Sequence, residues 1–358
     1  MLTIASGNLL HADADALVNT VNTVGVMGKG IALQFRRAYP QMFTEYVRAC
    51  KNGEVQLGHM HVWETGALDG PRFVINFPTK QHWRASSRLP DIEDGLTDLV
   101  KIVRDLGITS IAIPPLGCGN GGLNWADVEP LIRAAFVDLP DVEVLVFPPG
   151  ETPRAREMPN ATSEPTMTAG RAALVTALDR YSQLALGASP IEVQKLMYFL
   201  QVLGEPLKLR FEKNRYGPYA DNLRHVLNTI EGHFVSGFGD GSAPVLDAES
   251  LSVLPGAVND AQRVLAAHPD TVSRLTALSE LIDGFESRYG MELLATVHWV
   301  VREDPLAADD LPRTARAVQE WTPRKRGLFT DDHIELAWTT LRDHGLFAAP
   351  VAAGSEHR

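Results

Sequence analysis

The segment NFPTKQHWR, residues 76–84, continues a short apolar strand and places Lys80 just past the end of that strand. Ligands of α/β folds bind at the carboxyl ends of strands, so this lysine stands where such folds carry out chemistry. Two glycine-rich segments flank it in sequence, GVMGKG at residues 25–30 and GCGNGG at residues 117–122. Because glycine-rich backbone can approach phosphates closely, the three segments together predict a site for a phosphorylated, sugar-containing ligand.

The composition is that of a globular chain long enough for two domains. The chain has 358 residues, of which 45% are hydrophobic, and no stretch approaches the roughly 18 uncharged apolar residues that span a membrane. Its first residues lack the basic region of a signal peptide, so we expect a cytoplasmic protein without a membrane partner. The two cysteines, Cys50 and Cys118, are too few for a disulfide framework and fit a reducing compartment. No cluster of metal ligands is visible, and we expect no metal.

The net charge restricts the kinds of partner. A formal charge of -11 argues against sequence-independent binding of duplex nucleic acid through a basic face. Contact with a single modified nucleotide remains compatible with this charge. An acidic surface also suits a basic protein partner.

Residues 1–150 alternate between strand and helix patterns. The region 92–106, for example, repeats apolar residues at the spacing of an amphipathic helix and ends at Gly107. Alternation of this kind predicts an α/β sheet covered by helices. Strands are expected at 16–19, 73–76, 110–113 and 142–147, and helices at 30–38, 92–106 and 125–136.

A linker and a second domain follow. Residues 151–168 are rich in Pro, Thr, Glu and Ser and lack periodicity, which is typical of a linker. Residues 169–358 carry mostly helical patterns and predict a mainly α domain. Within it, residues 207–211 favour a short strand, and residues 271–289 favour one long helix.

The two glycine loops do not match familiar nucleotide motifs. Gly117–Gly122 fits G-x-G-x-x-G, but the next strand, 142–147, ends in prolines and not in the acidic residue of a dinucleotide-binding fold. Gly25–Gly30 is not a phosphate-binding P-loop, because glycine follows Lys29. Each loop is either an anion site made of backbone amides or a tight turn that requires glycine.

Asn22 and Lys80 each allow several interpretations. An asparagine amide both donates and accepts hydrogen bonds and so suits ribose hydroxyls, or it caps a strand end as a turn residue. Lys80 is a surface charge, a counter-charge for phosphate, or a nucleophile toward C1 of an opened ribose. The last role requires a depressed pKa, to which burial or the nearby His82 and Arg84 would contribute.

Five blocks follow one another in the sequence: GNLL (7–10), ALVNTVN (16–22), GVMGKGIALQF (25–35), INFPTKQHWR (75–84) and PPLGCGNGGLNW (114–125). In this order they resemble a macrodomain, a three-layer α/β/α fold with a mixed sheet. The FPTK lysine marks the branch that includes lysine-dependent ADP-ribosyl glycohydrolases, and the similarity is to DNA ADP-ribosyl glycohydrolase antitoxins. This resemblance implies an enzyme that removes ADP-ribose from thymidine in single-stranded DNA, where a DarT-like toxin attaches it from NAD.

The resemblance also implies roles for individual residues. Lys80 would be catalytic, Asn22 would contact the distal ribose, and the two glycine loops would clamp the diphosphate of ADP-ribose, with no cofactor. The residues implied in ADP-ribose binding are Asn8, Leu9, Asn19, Asn22, Gly25, Val26, Met27, Gly28, Lys29, Gly30, Thr79, Gly117, Cys118, Gly119, Asn120, Gly121, Gly122 and Leu123.

One expected catalytic group is missing from the sequence. A related subfamily pairs its lysine with an aspartate in the second loop, but residues 119–122 read GNGG and contain no carboxylate. Asp13 and Asp15 precede a predicted strand, and the sequence does not decide whether either can reach Lys80. The partner acid or base of Lys80 is therefore open.

The second domain resembles antitoxin domains of the Panacea type. The resemblance lies in IEVQKLMYFL at 191–200 and FEKNRYGPY at 211–219, and it implies that residues 169–358 bind and neutralise a DarT-like toxin. A plain alternative is an amphipathic helix followed by a Gly-Pro turn that tyrosines pack. The sequence does not define the toxin contacts, the stoichiometry, the oligomeric state or the DNA sequence around the modified base.

Two other functions compete with the glycohydrolase interpretation. One is a module that binds ADP-ribose without turnover, which the missing aspartate favours. The other is a hydrolase that acts on O-acetyl-ADP-ribose or on ADP-ribosylated protein.

Overall fold

A computed structural model describes residues 1–67, 69–150, 152–185, 187–243 and 247–347, which divide into two compact units. The α/β unit comprises Met1–Ser163 together with the short segment Gly239–Ala243. The helical unit comprises Glu164–Phe238 and the residues from 244 onward. No helix of the described residues is long and apolar enough to cross a membrane.

A six-stranded mixed sheet forms the centre of the α/β unit. Its strands are β1 (Leu2–Ile4), β2 (Ala16–Asn22), β3 (His61–Glu64), β4 (Phe73–Lys80), β5 (Ser110–Ile113) and β6 (Glu143–Val146). They lie in the order β1-β6-β5-β2-β4-β3. Every neighbouring pair is parallel except β3 and β4, which are antiparallel. The carboxyl ends of β2 and β4 therefore meet at one edge of the sheet.

Helices cover both faces of this sheet. Successive residues of a strand point to opposite faces, so Ile75 and Phe77 join one apolar core while Val74 joins another. The first core also includes apolar residues of the helices at 89–105 and 125–135, and the second includes residues of the helices at 30–38 and 40–51. The predicted three-layer α/β/α arrangement is confirmed. The helices are α1 (Gly30–Ala38), α2 (Pro40–Lys51), α3 (Leu89–Asp105) and α4 (Trp125–Ala135).

Two elements of the α/β unit differ from the expectation. The strand predicted at 73–76 continues to Lys80, which is its last residue and does not lie beyond its end. All eight residues of the strand are buried, and Phe77 packs so closely on Gly95 that a Cβ at Gly95 would collide with its ring. Helix α2 was not among the predicted elements, and Pro40 occupies its first turn, where proline needs no hydrogen-bond partner for its nitrogen.

The helical unit is built mainly from nine α-helices among its described residues, which confirms the prediction that it is mainly α. Central α6 and α10 are buried over most of their length and pack against each other. The helices are α5 (Ala169–Leu184), α6 (Pro190–Val202), α7 (Asp221–Ile230), α8 (Ala257–Leu265), α9 (Pro269–Leu281), α10 (Arg288–Glu303), α11 (Leu311–Gln319), α12 (Pro323–Leu328) and α13 (Asp331–Asp343). The described strands of this unit form two small antiparallel sheets, β7 (Phe211–Asn214) with β8 (Gly217–Ala220), and β9 (Val235–Ser236) with β10 (Ser252–Val253).

Two expectations for the helical unit were wrong. The strand predicted at 207–211 begins only at Phe211, because Lys208 adopts a left-handed backbone (φ 57°) and the Gln201 side chain holds the backbone of Leu209. The long helix predicted at 271–289 ends at Leu281. Gly284, at φ 81°, lies in the turn that separates α9 from α10.

Candidate active site

Lys80 lies at the carboxyl edge of the sheet between the two glycine loops. The β2–β4 ladder shifts register at its end, so that Asn22 pairs with Lys80. The side chain of Lys80 is largely buried, and its Nζ donates a hydrogen bond to the Asn120 carbonyl at 2.8 Å. A Cβ at Gly30 would lie 3.4 Å from Asn120 Nδ2, so the two loops adjoin here. The fold thus unites three segments that are about 50 and 40 residues apart in sequence.

Asn22 organises the first glycine loop, Gly25–Gly30. Its amide nitrogen donates to the Val26 carbonyl at 2.6 Å, and its Oδ1 accepts from the backbone nitrogens of Val24 (3.0 Å) and Val26 (3.3 Å). The hydroxyl of Tyr46, a residue of α2, donates to the Asn22 carbonyl from beneath. The side chain of Asn22 therefore supports the loop, and its contact with a ribose stays a prediction.

The second glycine loop, Gly117–Gly122, requires glycine for two separate reasons. Gly117 and Gly122 have positive φ angles of 70° and 79°, a backbone region that other residues adopt only with strain. A Cβ at Gly121 would collide with the Gly117 carbonyl and with Ser87 Oγ. The loop then enters α4, whose first turn is capped by Asn124 through Ala126 N at 3.2 Å. Backbone amides at a helix N-terminus form an anion site, which suits a phosphate.

Several predicted binding residues are exposed at the loops, as a ligand contact requires. They are Val26 and Lys29 in the first loop and Gly119, Asn120 and Gly122 in the second. The partly exposed Gly25, Gly28, Gly30, Cys118 and Leu123 lie beside them. Burial, and the nearby Asp127, raise the pKa of the Cys118 thiol to about 11, so this residue is present as a neutral thiol. The contacts of these residues with ADP-ribose stay predictions.

Other predicted binding residues lie beneath the surface of the site. Asn19 is fully buried, and its amide donates to Asn76 Oδ1 at 2.9 Å, so its side chain supports the sheet and does not face a ligand. Met27 is also buried, with its sulfur 3.8 Å from Asn19 Nδ2. Thr79 is buried and donates to the Val21 carbonyl at 3.4 Å. These side chains hold the strand ends and the first loop in place.

Asn8 and Leu9 form a turn that follows β1. Asn8 Oδ1 accepts from Leu10 N at 3.0 Å and so caps the short 3-10 helix Leu9–His11. Its amide nitrogen donates to the Glu157 carbonyl at 2.9 Å. Leu9 is buried in the core beside α1 and α2. Both polar atoms of the Asn8 side chain thus have partners within the protein.

Lys80 has no carboxylate partner among the described residues. None of the ion pairs formed there includes it, and burial lowers the pKa of its ammonium group. Asp15 lies at the opposite end of β2, roughly 20 Å away for a strand of this length, and binds Thr109 and Ser110 there. The bond with the Thr109 side chain lowers the pKa of Asp15, which therefore serves as a structural carboxylate.

Sequence analysis missed three residues that shape this site. Tyr46 was missed because α2 was not expected, so nothing placed its hydroxyl under Asn22. Ser87, whose backbone nitrogen donates to the Gly121 carbonyl at 2.9 Å, follows the FPTK block without any motif of its own. Trp83 lies inside that block and was given no role, although a tryptophan among polar residues is a signal for an exposed contact.

The comparison with known proteins agrees with this geometry. Residues 18–132 match the family model described as Macro domain. The chain is 47% identical over 349 residues to the DNA ADP-ribosyl glycohydrolase of Mycobacterium tuberculosis, covering 94% of this chain and 98% of the relative. It is 45% identical over 345 residues to the protein of the same name from Thermus aquaticus, covering 96% and 94% of the two chains. The chain belongs to the DNA ADP-ribosyl glycohydrolase family.

This family membership confirms the resemblance inferred from the five sequence blocks. Among solved structures, the macrodomain of Mycobacterium tuberculosis DarG is 61% identical and covers 42% of this chain and 99% of that chain, with a TM-score of 0.42. A fusion protein from Thermosipho africanus, named DNA ADP-ribosyl transferase-DNA ADP-ribosyl glycohydrolase, is 33% identical over 165 residues and covers 42% of each chain.

Proposed function

We propose that this member of the glycohydrolase family hydrolyses the bond between ADP-ribose and a thymidine base in single-stranded DNA. The observation that carries the proposal is the position of Lys80, which is buried at the strand end with its Nζ 2.8 Å from the Asn120 carbonyl in the second glycine loop. The names of the two relatives that align with nearly the whole chain support the reaction. A DNA substrate implies action in the cytoplasm.

The two glycine loops would hold the diphosphate of ADP-ribose. Backbone amides supply the hydrogen-bond donors, and the amino end of α4 adds a favourable dipole for a negative charge. Because these groups carry no formal charge, binding does not depend on a basic surface. The net charge of -11 therefore does not oppose a phosphorylated ligand at this edge.

Lys80 would act as an amine that attacks the anomeric carbon of the ribose. Burial lowers its pKa, and the absence of a carboxylate partner among the described residues leaves the neutral form accessible. As the new C–N bond forms, the bond to the thymine nitrogen breaks, and this nitrogen takes the proton that the amine loses. The sugar ring of the adduct opens to an imine, and water then hydrolyses the imine, which releases ADP-ribose and restores the lysine. These steps require no metal and no cofactor.

The first test compares ADP-ribose release by the wild-type protein and by Lys80→Ala. ADP-ribosylated single-stranded DNA is the substrate, and Lys101→Ala, which removes an exposed lysine of α3, is the matched control. The Lys80 variant should lose about a thousandfold or more in rate, as expected for the loss of a nucleophile. Full activity in Lys80→Ala would rule out its catalytic role.

Reductive trapping separates the amine mechanism from a purely electrostatic one. Borohydride converts an imine to a stable secondary amine, so the wild-type protein incubated with substrate should gain the mass of ADP-ribose less one oxygen atom at Lys80, because imine formation releases water and reduction adds two hydrogens. Turnover without any trapped adduct would show that Lys80 acts as an ammonium group. Binding of ADP-ribose in a calorimeter without any release from DNA or protein would identify a non-catalytic module.

The helical unit would bind and neutralise a DarT-like toxin. Two observations support this role: the curated relatives align through the helical unit, and the Thermosipho africanus relative joins a transferase and a glycohydrolase in one chain. The test is co-purification of the full chain with the transferase encoded by the adjacent gene. Failure to form a complex would leave the hydrolase proposal intact and would remove the proposed partner.

A further inference from the structure

The segment 81–87, which directly follows Lys80, bridges the two glycine loops. At its start, the Gln81 carbonyl accepts hydrogen bonds from Thr23 N at 3.1 Å and from Thr23 Oγ1 at 2.9 Å, just before the first loop. At its end, Ser87 N donates to the Gly121 carbonyl of the second loop at 2.9 Å. The segment is therefore fixed at both ends and forms a rim beside Lys80.

Trp83 lies on this rim with its indole open to solvent. Its residue surface is 45% exposed, and no other Phe, Tyr or Trp of the described chain is classed as exposed. A local turn holds the segment, with Ala85 N donating to the His82 carbonyl at 2.9 Å and Arg84 N contacting His82 Nδ1 at 3.2 Å. An exposed indole without a packing role is costly in water, so it indicates a contact surface.

Cationic and aromatic groups surround this indole. The Arg84 guanidinium carbon lies 4.4 Å from the centre of the Trp83 ring, and the His82 ring centre lies 5.2 Å away. Arg84 forms no ion pair among the described residues, whereas Arg88 is paired with Asp91 at 2.7 Å. In a chain of net charge -11, Arg84 thus adds an uncompensated positive charge to the rim.

An exposed indole beside a guanidinium that forms no ion pair among the described residues suits single-stranded nucleic acid. Bases stack on aromatic rings irrespective of sequence, and guanidinium groups bind the phosphates between them. A DNA strand that delivers a modified base to Lys80 must pass the rim that segment 81–87 forms beside this lysine. The geometry points to a strand-binding subsite in which Trp83 stacks on a base of the DNA and Arg84 contacts an adjoining phosphate. This inference rests on the proposed function, because it places the substrate strand beside Lys80.

The subsite should affect binding of the strand and not the chemical step. Substitution of Trp83 or Arg84 should therefore change KM for a DNA oligomer. The kcat for the oligomer and the release of ADP-ribose from a single modified nucleoside should stay unchanged. A residue needed only for folding would impair both substrates alike. The ratio of kcat/KM for the two substrates distinguishes these cases.

The experiment measures kcat and KM for a modified DNA oligomer and for ADP-ribosylated thymidine. Trp83→Ala should raise KM for the oligomer about tenfold, the contribution of one stacked base, and leave the nucleoside unaffected. Trp83→Phe should restore most of the affinity, and Arg84→Ala should raise KM by a factor that shrinks at high salt. Lys101→Ala, at an exposed position of α3, is the control for loss of a surface cation.

A second measurement does not depend on hydrolysis. Lys80→Ala, alone and combined with Trp83→Ala, is titrated with fluorescein-labelled unmodified single-stranded DNA, and its anisotropy is recorded. We expect the double variant to bind about tenfold more weakly. Equal affinity of the two variants for this DNA would overturn the proposed subsite, even if the wild-type protein hydrolyses modified DNA. A Trp83→Ala defect confined to ADP-ribosylated protein would also overturn it, because the surface would then serve a protein partner.

Discussion

Two buried lysines, one in each unit, have contrasting surroundings. In the α/β unit, the Nζ of Lys80 hydrogen-bonds to one backbone carbonyl among the described residues, and Lys80 lies beside the glycine loops at the end of a strand. In the helical unit, Lys325 is fully buried, and its Nζ donates to Glu292 Oε1 and to Thr296 Oγ1. Burial lowers the pKa of both lysines, to about 8 for Lys325. A depressed pKa therefore does not identify a catalytic lysine, because burial lowers the pKa of a paired structural lysine as well.

The largest effect is expected when the ion-paired lysine, Lys325, is removed. Lys325→Ala removes the ammonium partner of buried Glu292 but leaves its pair with Arg324, so we expect the free energy of unfolding to fall by about 3 kcal/mol, the lower end for a broken buried pair. Thermal or urea unfolding of the helical unit measures this change. ADP-ribose release at a temperature where the variant is folded should match the wild-type rate.

A double variant provides the control for this prediction. Lys325→Met combined with Glu292→Leu removes both charges and should restore much of the lost stability, although Arg324 then also loses its carboxylate partner. Loss of ADP-ribose release in the folded Lys325 variant would contradict the assignment of Lys325 to structure alone.

The pH dependence of the reaction tests the state of Lys80. Because the attacking amine must be neutral, the rate should rise about tenfold per pH unit below the pKa of Lys80 and then level off. Burial lowers this pKa, so the plateau should begin below the 10.5 of an ordinary lysine. Single-turnover rates between pH 5 and about 10 measure the profile. A rate that falls as pH rises would favour a charged Lys80.

Gly121 tests whether the second loop holds the diphosphate by backbone geometry. A methyl group at this position would collide with Gly117 O and Ser87 Oγ, so Gly121→Ala should weaken ADP-ribose binding about tenfold. Isothermal titration with ADP-ribose measures the change. Gly150→Ala, outside both glycine loops, is the control, because a Cβ there meets only the Pro148 carbonyl at 3.8 Å, an ordinary contact. Equal effects of the two substitutions would contradict a specific role for the Gly121 backbone.

The smallest effect on stability and KM is predicted for a substitution of Tyr46. Tyr46→Phe removes the hydroxyl that donates to the Asn22 carbonyl, and stability should fall by about 1 kcal/mol. KM for substrate should rise a few-fold because the first loop is less well held. Tyr39→Phe is the control, since its hydroxyl makes no hydrogen bond among the described residues. An unchanged KM in Tyr46→Phe would separate this hydrogen bond from the site.

Much of the fold and the site was predictable from local patterns. Alternating strands and helices implied the α/β sheet, and the blocks around Lys80 and the glycine loops identified the macrodomain. The support beneath the site was not predictable in the same way. Tyr46 reaches Asn22 only through tertiary packing of α2, and the burial of Asn19 depends on its pairing with Asn76 across the sheet.

Local backbone geometry limited the predictions in the helical unit. Lys208 has φ 57°, a conformation that a lysine adopts only where surrounding contacts impose it, and this displaced the expected strand. The partners of Lys325 are likewise invisible in sequence, because Glu292 lies 33 residues away on α10.

The assay of ADP-ribose release from modified single-stranded DNA by Lys80→Ala tests the central claim most directly. The account predicts a loss of about a thousandfold or more, with the fold and the binding of free ADP-ribose retained. Release of ADP-ribose by Lys80→Ala at the wild-type rate would contradict the claim that Lys80 is the catalytic residue.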